Sequence, residues 1–400
     1  MAGSYRPHYH VSVPFGWAND PNGIIDFNGK IHLFYQHYPH KTEWGPMHWN
    51  HVTTEDFVHW DQHQVALYPD HPYEVVCGCC SGSTVEKDGK LYIVYTAAQP
   101  MMQRQCLAVS EDGEHFEKVP ENPVETAEML SPEIYEEDFR DPRVFKKDGV
   151  YYMITGIRYV EGGKRREAAP SMQREQTNPR FAPPEHKKEG WGNLCLLRSD
   201  DLYKWSYVGH MIYPQPEYSE DFYRLDGVYE CPDYFVTPSG DEVLLTSPQN
   251  LPQMGHLYQN IHSVIFMLGH LDLETGRFEM RTIGEVDSGF DFYAAQTIGL
   301  QDGRHIMIAW KEMWDRNFPT GAAEGWAGTY TLPRELTVEG DRLIQKPVRE
   351  IYSFMGDPVS CPKLKVKDSD RDIEGVSGNV ANLRFTLMPG DAKKAGVRLM

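Results

Sequence analysis

Asp20-Pro21-Asn22-Gly23-Ile24, then a turn glycine at Gly29, then an alternating apolar run over 31–36: this succession decides the fold, because the chain repeats it. Counterparts open at Ser81-Gly82-Ser83-Thr84-Val85, Asp141-Pro142-Arg143-Val144-Phe145, Cys231-Pro232-Asp233-Tyr234-Phe235 and Ala294-Ala295-Gln296-Thr297-Ile298. Their turn glycines are Gly89, Gly149, Gly240 and Gly303, and alternating runs follow over 91–96, 150–155, 242–247 and 305–310. The steps are about sixty residues, with a longer one between Gly149 and Gly240. A repeat of that size marks propellers and solenoids. Roughly sixty residues hold four short strands and their loops, so the chain reads as all-β, with a five-bladed β-propeller over residues 1–352.

The repeat carries acids at one place. Asp20, Asp141 and Glu230 each stand eight to ten residues ahead of a turn glycine. The first strand of a propeller blade lines the central axis, so the three carboxylates are expected to converge at one end of the channel. A single Asp-Pro at a strand start is explained by turn capping. Three acids in one repeat position are not, and like charges that close force at least one to hold its proton above the ordinary range. Paired acids of unequal proton affinity are what glycoside hydrolysis requires.

Composition excludes other classes. The chain has 400 residues and a formal net charge of −19, from 39 basic and 58 acidic side chains. That is the wrong sign for a nucleic-acid footprint. The N-terminal stretch lacks an apolar signal core, and no apolar run approaches the ~18 residues of a membrane span. A cytoplasmic protein with no membrane partner is expected. Seven cysteines include Cys77, Cys79 and Cys80, but the separated pairs of a zinc site are missing. They read as free thiols in a reducing compartment, with no metal and no organic cofactor.

Three segments share the spacing S/T-x-D-x3-aromatic: Thr54 to Trp60, Ser110 to Phe116 and Ser199 to Trp205. Each reads as a turn into an outer strand, its aromatic packed between blades. The long step holds a Pro-, Gly- and charge-rich insertion over 161–190. Beyond Gly356-Asp357-Pro358, residues 358–400 read as the start of a β-sandwich, with strands at 376–388 and 396–400. So short a tail cannot close two sheets, and it reads as part of a longer domain.

Three motifs together resemble glycoside hydrolase family 32: Trp17-Ala18-Asn19-Asp20-Pro21-Asn22-Gly23, Phe139-Arg140-Asp141-Pro142 and Tyr229-Glu230-Cys231-Pro232. Ser81-Gly82-Ser83, 290–296 and Gly325-Trp326-Ala327-Gly328 support the resemblance, which runs from about His10 to Leu336. It implies a propeller followed by a sandwich. It also implies that Asp20 is the nucleophile, Glu230 the acid and base, and Asp141 the transition-state stabiliser. Asn19, Gln36, Trp44, Ser83, Arg140 and Tyr293 match positions that line the sugar pocket. Cys231 either tunes the acid or is a buried structural thiol, and Trp310 and Trp326 read as core.

The expected activity is retaining hydrolysis that releases terminal non-reducing β-D-fructofuranose from sucrose, sucrose 6-phosphate or short fructo-oligosaccharides. Fructan exo-hydrolysis and fructosyl transfer are alternatives within the same family. An inverting arabinan or xylan hydrolase also uses five blades and three acids, but the Asn-Asp-Pro-Asn-Gly and Glu-Cys motifs count against it. A sugar-binding propeller without turnover would have no use for all three acids. The substrate is a small-molecule sugar, and the oligomeric state is not legible.

Overall fold

The computed structural model describes residues 5–99, 102–163, 190–214, 225, 227–361, 363–376 and 381–397. It divides into two units, 1–348 and 349–400.

The first unit is the five-bladed propeller. Blade I is β1 (Gly16–Phe27), β2 (Lys30–Tyr38), β3 (His48–Thr54) and β4 (Asp61–Gln62). Blade II is β5 (Gly78–Lys87), β6 (Lys90–Gln99), β7 (Met102–Ser110) and β8 (Glu117–Lys118), with β9 (Glu125–Thr126) also paired to β7. Blade III is β10 (Ile134–Lys147), β11 (Val150–Tyr159), β12 (Trp191–Ser199) and β13 (Ser206–His210). Blade IV is β14 (Tyr229–Val236), β15 (Glu242–Pro248), β16 (Ile265–Leu271) and β17 (Phe278–Glu285). Blade V is β18 (Tyr293–Gly299), β19 (His305–Trp310), β21 (Arg334–Glu339) and β22 (Arg342–Pro347). The remaining strand, β20 (Trp326–Ala327), pairs in parallel with Gly16 and Trp17 of β1.

Every expected inner segment lies in the first strand of a blade, and every alternating run lies in the second. The turn glycines Gly29, Gly89, Gly149, Gly240 and Gly303 all have φ between 74° and 90°. Nothing lies within 4 Å of a Cβ built on Gly29, Gly89, Gly149 or Gly240, so at these four the backbone alone selects glycine. The first three follow Asn28, Asp88 and Asp148, themselves at positive φ, as a two-residue hairpin requires.

Successive side chains of a strand point to opposite faces, and in a propeller both faces meet a neighbouring blade. The second strands show the result. In β6, Leu91, Ile93, Tyr95 and Ala97 join Phe34 and Trp49 of blade I. Tyr92 and Val94 of the same strand join Met153 and Tyr151 of blade III. In β15, Leu244 packs with blade III, while Val243 and Leu245 belong to the cluster containing blade V. The S/T-x-D turns form as expected. Asp56 Oδ1 accepts the amides of Val58 and His59, and Asp112 and Asp201 repeat this for their own turns. Phe116 then packs on Phe34 of blade I.

The ring closes because the last blade is stitched to the N-terminal segment. Gly16 donates to Gly325 O at 3.0 Å and Tyr330 to Val11 O at 2.9 Å. Gly328, at φ 126°, runs so close to β1 that a Cβ there would lie 2.4 Å from Ala18 O.

In the second unit, residues 381–388 of the expected sandwich strand over 376–388 form no strand among the described residues. Residues 377–380, 398–400 and most of the insertion expected at 161–190 lie outside the described residues. No helix among the described residues is long and apolar enough to cross a membrane.

Candidate active site

Each inner strand is bulged at the same level. Pairing skips between Ala18 and Pro21, Cys80 and Gly82, Arg140 and Arg143, Glu230 and Asp233, and Tyr293 and Gln296. An extra residue breaks the ladder and re-aims the side chains and amides around it. Asp141, Cys231 and Ala294 sit at φ 65°, 46° and 53°, strained values for residues with a side chain, held by the packing around them. The pairing also refines the register of the acids. The blade IV counterpart of Asp141 is Cys231, and the counterpart of Glu230 in blade III is Arg140.

Asp20 is 9 % exposed. Its Oδ1 accepts from Asn19 Nδ2 at 3.0 Å and its Oδ2 from Ser81 Oγ at 2.6 Å. Burial lifts its proton affinity, and these hydrogen bonds offset part of the lift. Asn19 is itself oriented, since its Oδ1 accepts from Trp17 Nε1 at 2.8 Å and its carbonyl from Tyr330 Oη at 2.6 Å.

Asp141 is buried, and its Oδ2 accepts the Cys231 amide at 2.9 Å. Its own amide donates to Thr96 Oγ1 of blade II at 2.9 Å. Burial raises its proton affinity above the carboxylate range; Arg140 opposes that, and Glu230 and Asp20 add to it. The expected like-charge strain is thus present, on the two aspartates. The Cys231 thiol spans them, 3.5 Å from Asp20 Oδ2 and 3.6 Å from Asp141 Oδ2.

Glu230 is the most accessible of the three, its side chain 17 % exposed. Arg140 grips its Oε1 through Nε at 3.1 Å and Nη2 at 2.9 Å. Tyr293 Oη donates to Oε2 and has a second acceptor in Ser247 O at 3.2 Å. Both carboxylate oxygens thus face hydrogen-bond donors. His262, from the β15–β16 connection, packs 5.7 Å from the Tyr293 ring.

The other expected pocket residues divide. Arg140, Tyr293 and Asn19 touch the acids directly. Gln36 stands opposite the blade I bulge, its Nε2 donating to Cys79 O at 3.1 Å. Trp44 lies in the β2–β3 connection, partly buried against the core that joins blade I to blade V. Ser83 is fully buried, and its Oγ accepts the Val144 amide at 2.9 Å, tying blade II to blade III. The serine that reaches Asp20 is Ser81, in the same Ser-Gly-Ser block, and it lies at the blade II bulge. Trp310 is fully buried beside Trp17, Trp314 and Phe318, and Trp326 is buried under Arg6.

Below the acids the axis is filled by polar ties. Gln296 accepts from Gly23 N at 2.7 Å and donates to Gly82 O at 2.9 Å, linking blades V, I and II. The ion pair of Arg143 and Asp233, at 2.8 Å, links blades III and IV.

Acids of two kinds at one end of a propeller axis define a glycosidase-type site. The profile of the glycosyl hydrolases family 32 N-terminal domain matches residues 10–165 and 177–347, and the chain belongs to that family. It is 32 % identical over 411 residues to a sucrose-6-phosphate hydrolase of Escherichia coli, covering 99 % of this chain and 76 % of that protein. It is 35 % identical over 360 residues to a sucrose-6-phosphate hydrolase of Zymomonas mobilis, covering 88 % and 63 %. Among solved structures, a family 32 β-fructofuranosidase of Bombyx mori superposes with a TM-score of 0.73 at 34 % identity, covering 89 % of this chain and 68 % of that one. A variant of that protein has been solved in complex with sucrose. The chain thus spans about two thirds to three quarters of the length of these relatives.

Proposed function

We propose that this chain is a retaining β-fructofuranosidase that acts in the cytoplasm on sucrose or its 6-phosphate. The observation that carries the reading is the division of the acids. Two aspartates are buried under one thiol, and a more accessible glutamate is held by donors at the rim. The seven free cysteines suit a reducing compartment.

Asp20 attacks C2 of the fructosyl ring while Glu230 gives its proton to the glycosidic oxygen, and the leaving sugar departs. Glu230, now ionised, takes a proton from water. The hydroxide attacks C2, Asp20 leaves, and two inversions give net retention. Asn19 and Ser81 hold Asp20 in place and ionised for the attack. Asp141 is placed to bind sugar hydroxyls and to face the oxocarbenium-like transition state with negative charge. The Tyr293 hydroxyl can turn from Glu230 to Ser247 O, which frees Oε2 to carry the proton in the first half-reaction. The Arg140 fork holds Oε1 in place through the second.

The test is a panel of sucrose, sucrose 6-phosphate, short fructo-oligosaccharides, inulin and levan. Glucose and fructose are measured separately, and the first-formed fructose anomer is read by NMR. Initial release of the β-anomer is expected, with an excess of glucose over fructose wherever transfer competes with water. Initial release of the α-anomer, or no turnover of any fructoside, overturns the reading.

A further inference from the structure

Behind the catalytic glutamate lies a buried chain of charge that no motif singled out. Asp138 is 4 % exposed and Arg158 is 2 % exposed. Asp138 Oδ1 accepts from Arg140 Nη1 at 2.9 Å, and Oδ2 accepts from Arg158 Nε at 2.7 Å. Arg140 then turns its other edge, Nε and Nη2, to Glu230. One carboxylate therefore stands between two arginines, and only one of the arginines touches the acid. Gln103 completes the clamp. Its Oε1 accepts the Phe139 amide at 3.0 Å and lies 3.4 Å from Arg140 Nη1.

Both guanidiniums are permanently charged, so the carboxylate between them stays ionised. The triad carries a net single positive charge. Without Asp138 it would present two, in a site where charges are poorly screened. Asp138 also fixes the plane of Arg140, because a fork bonded on both edges cannot rotate.

We propose that Asp138 is a positioning residue for the reaction: by neutralising Arg158 and clamping Arg140, it sets how much positive charge Glu230 meets and so keeps Glu230 able to give up and take back its proton. The inference rests on the role of Glu230 as acid and base proposed above. Glu230 is also faced by Asp141 and Arg140 of β10, Asp20 of β1, Cys231 of its own strand, Tyr293 of β18 and His262 of the β15–β16 connection. None of these changes in the test.

The test compares kcat/KM against pH for the full chain and for Asp138→Asn, Arg158→Met and the double variant, on sucrose and on an aryl β-D-fructofuranoside. Asp138→Asn leaves two positive charges, so Glu230 releases its proton more readily. The alkaline limb moves to lower pH by about half a unit or more, and sucrose, with its poor leaving group, loses more rate than the aryl fructoside. Arg158→Met leaves no net charge and moves the limb the other way. The double variant restores the single positive charge and brings the limb back. A purely structural role predicts additive losses with no opposed shifts, and that result overturns the inference. If Asp138→Asn does not fold, Arg158→Met alone decides by the direction of its shift. Glu230→Ala on the aryl fructoside separates the two readings. If the limb persists there, it never belonged to Glu230 and the proposed role fails; if it vanishes there yet stays fixed in the other variants, only this inference fails.

Discussion

Arg140 and Glu230 hold the same ladder position on neighbouring blades, each the last paired residue before its strand's bulge, and Arg140 Nη2 stands 2.9 Å from Glu230 Oε1. One step further along, Asp141 and Cys231 are matched in the same way, and the Cys231 amide donates to Asp141 Oδ2. The fivefold repeat thus delivers partners in register: a base–acid pair at the rim and an acid–amide pair beneath it.

Loss of the nucleophile and loss of the acid are expected to differ. Asp20→Ala removes the group proposed to form the covalent bond, and activity on every fructoside is expected to fall by about 10⁴-fold or more. Glu230→Ala is expected to cost about 10²–10⁴-fold on sucrose and less on an aryl fructoside, with azide restoring part of the rate. Equal losses on both substrates without azide rescue would reject the assignment.

Ser81 and Ser83 give opposite outcomes although one residue separates them. Ser81→Ala strips Asp20 Oδ2 of a 2.6 Å hydrogen bond. A loss of about 1–3 kcal/mol, or roughly 5–150-fold in kcat, is expected. Ser83→Ala leaves the Val144 amide unpaired in the core, and its cost is expected in the urea midpoint with kcat per folded molecule kept. Steady-state kinetics and urea unfolding on both variants check the contrast.

Gln296→Leu tests the tie between blades V, I and II. It leaves Gly23 N and Gly82 O buried without their partner. Two unsatisfied backbone groups cost about 2–4 kcal/mol. Urea unfolding that shows less than about 1 kcal/mol of destabilisation would mean that the three blades are held together without this tie.

Glu125 carries a pH-dependent penalty. It is 1 % exposed, and burial raises its pKa from 4.5 to about 7. The folded chain therefore holds a proton there that the unfolded chain has released, and stability falls as pH rises from about 4.5 through 7. Glu125→Gln removes that loss. It is expected to match the parent near pH 4.5 and to exceed it above pH 7 by about 1–3 kcal/mol, read as the difference in urea unfolding at the two pH values.

Much of the fold was legible in the chain, because its signals are local. A glycine at positive φ is required wherever a tight hairpin joins the first and second strand, so Gly29, Gly89, Gly149, Gly240 and Gly303 count the blades. The second strands are buried at successive positions, on both faces, as strands packed between two neighbouring blades are. The acids were legible as a group because a repeat brings neighbouring sequence positions to neighbouring places on the axis, although Glu230 stands level with Arg140 and not with Asp141.

Which neighbour each acid meets was decided by tertiary structure. The extra residue between Cys80 and Gly82 turns Ser81 to Asp20 and Ser83 to Val144, and alternation alone does not locate that residue. Equivalent bulges bring the Cys231 thiol between Asp20 and Asp141 and place Arg140 against Glu230. Asp138 and Arg158 reach each other across two strands whose pairing is irregular, so no spacing pointed to them. Local backbone preference is written residue by residue, whereas the contacts that set charge and proton affinity arise between blades, where only the closed ring determines who faces whom.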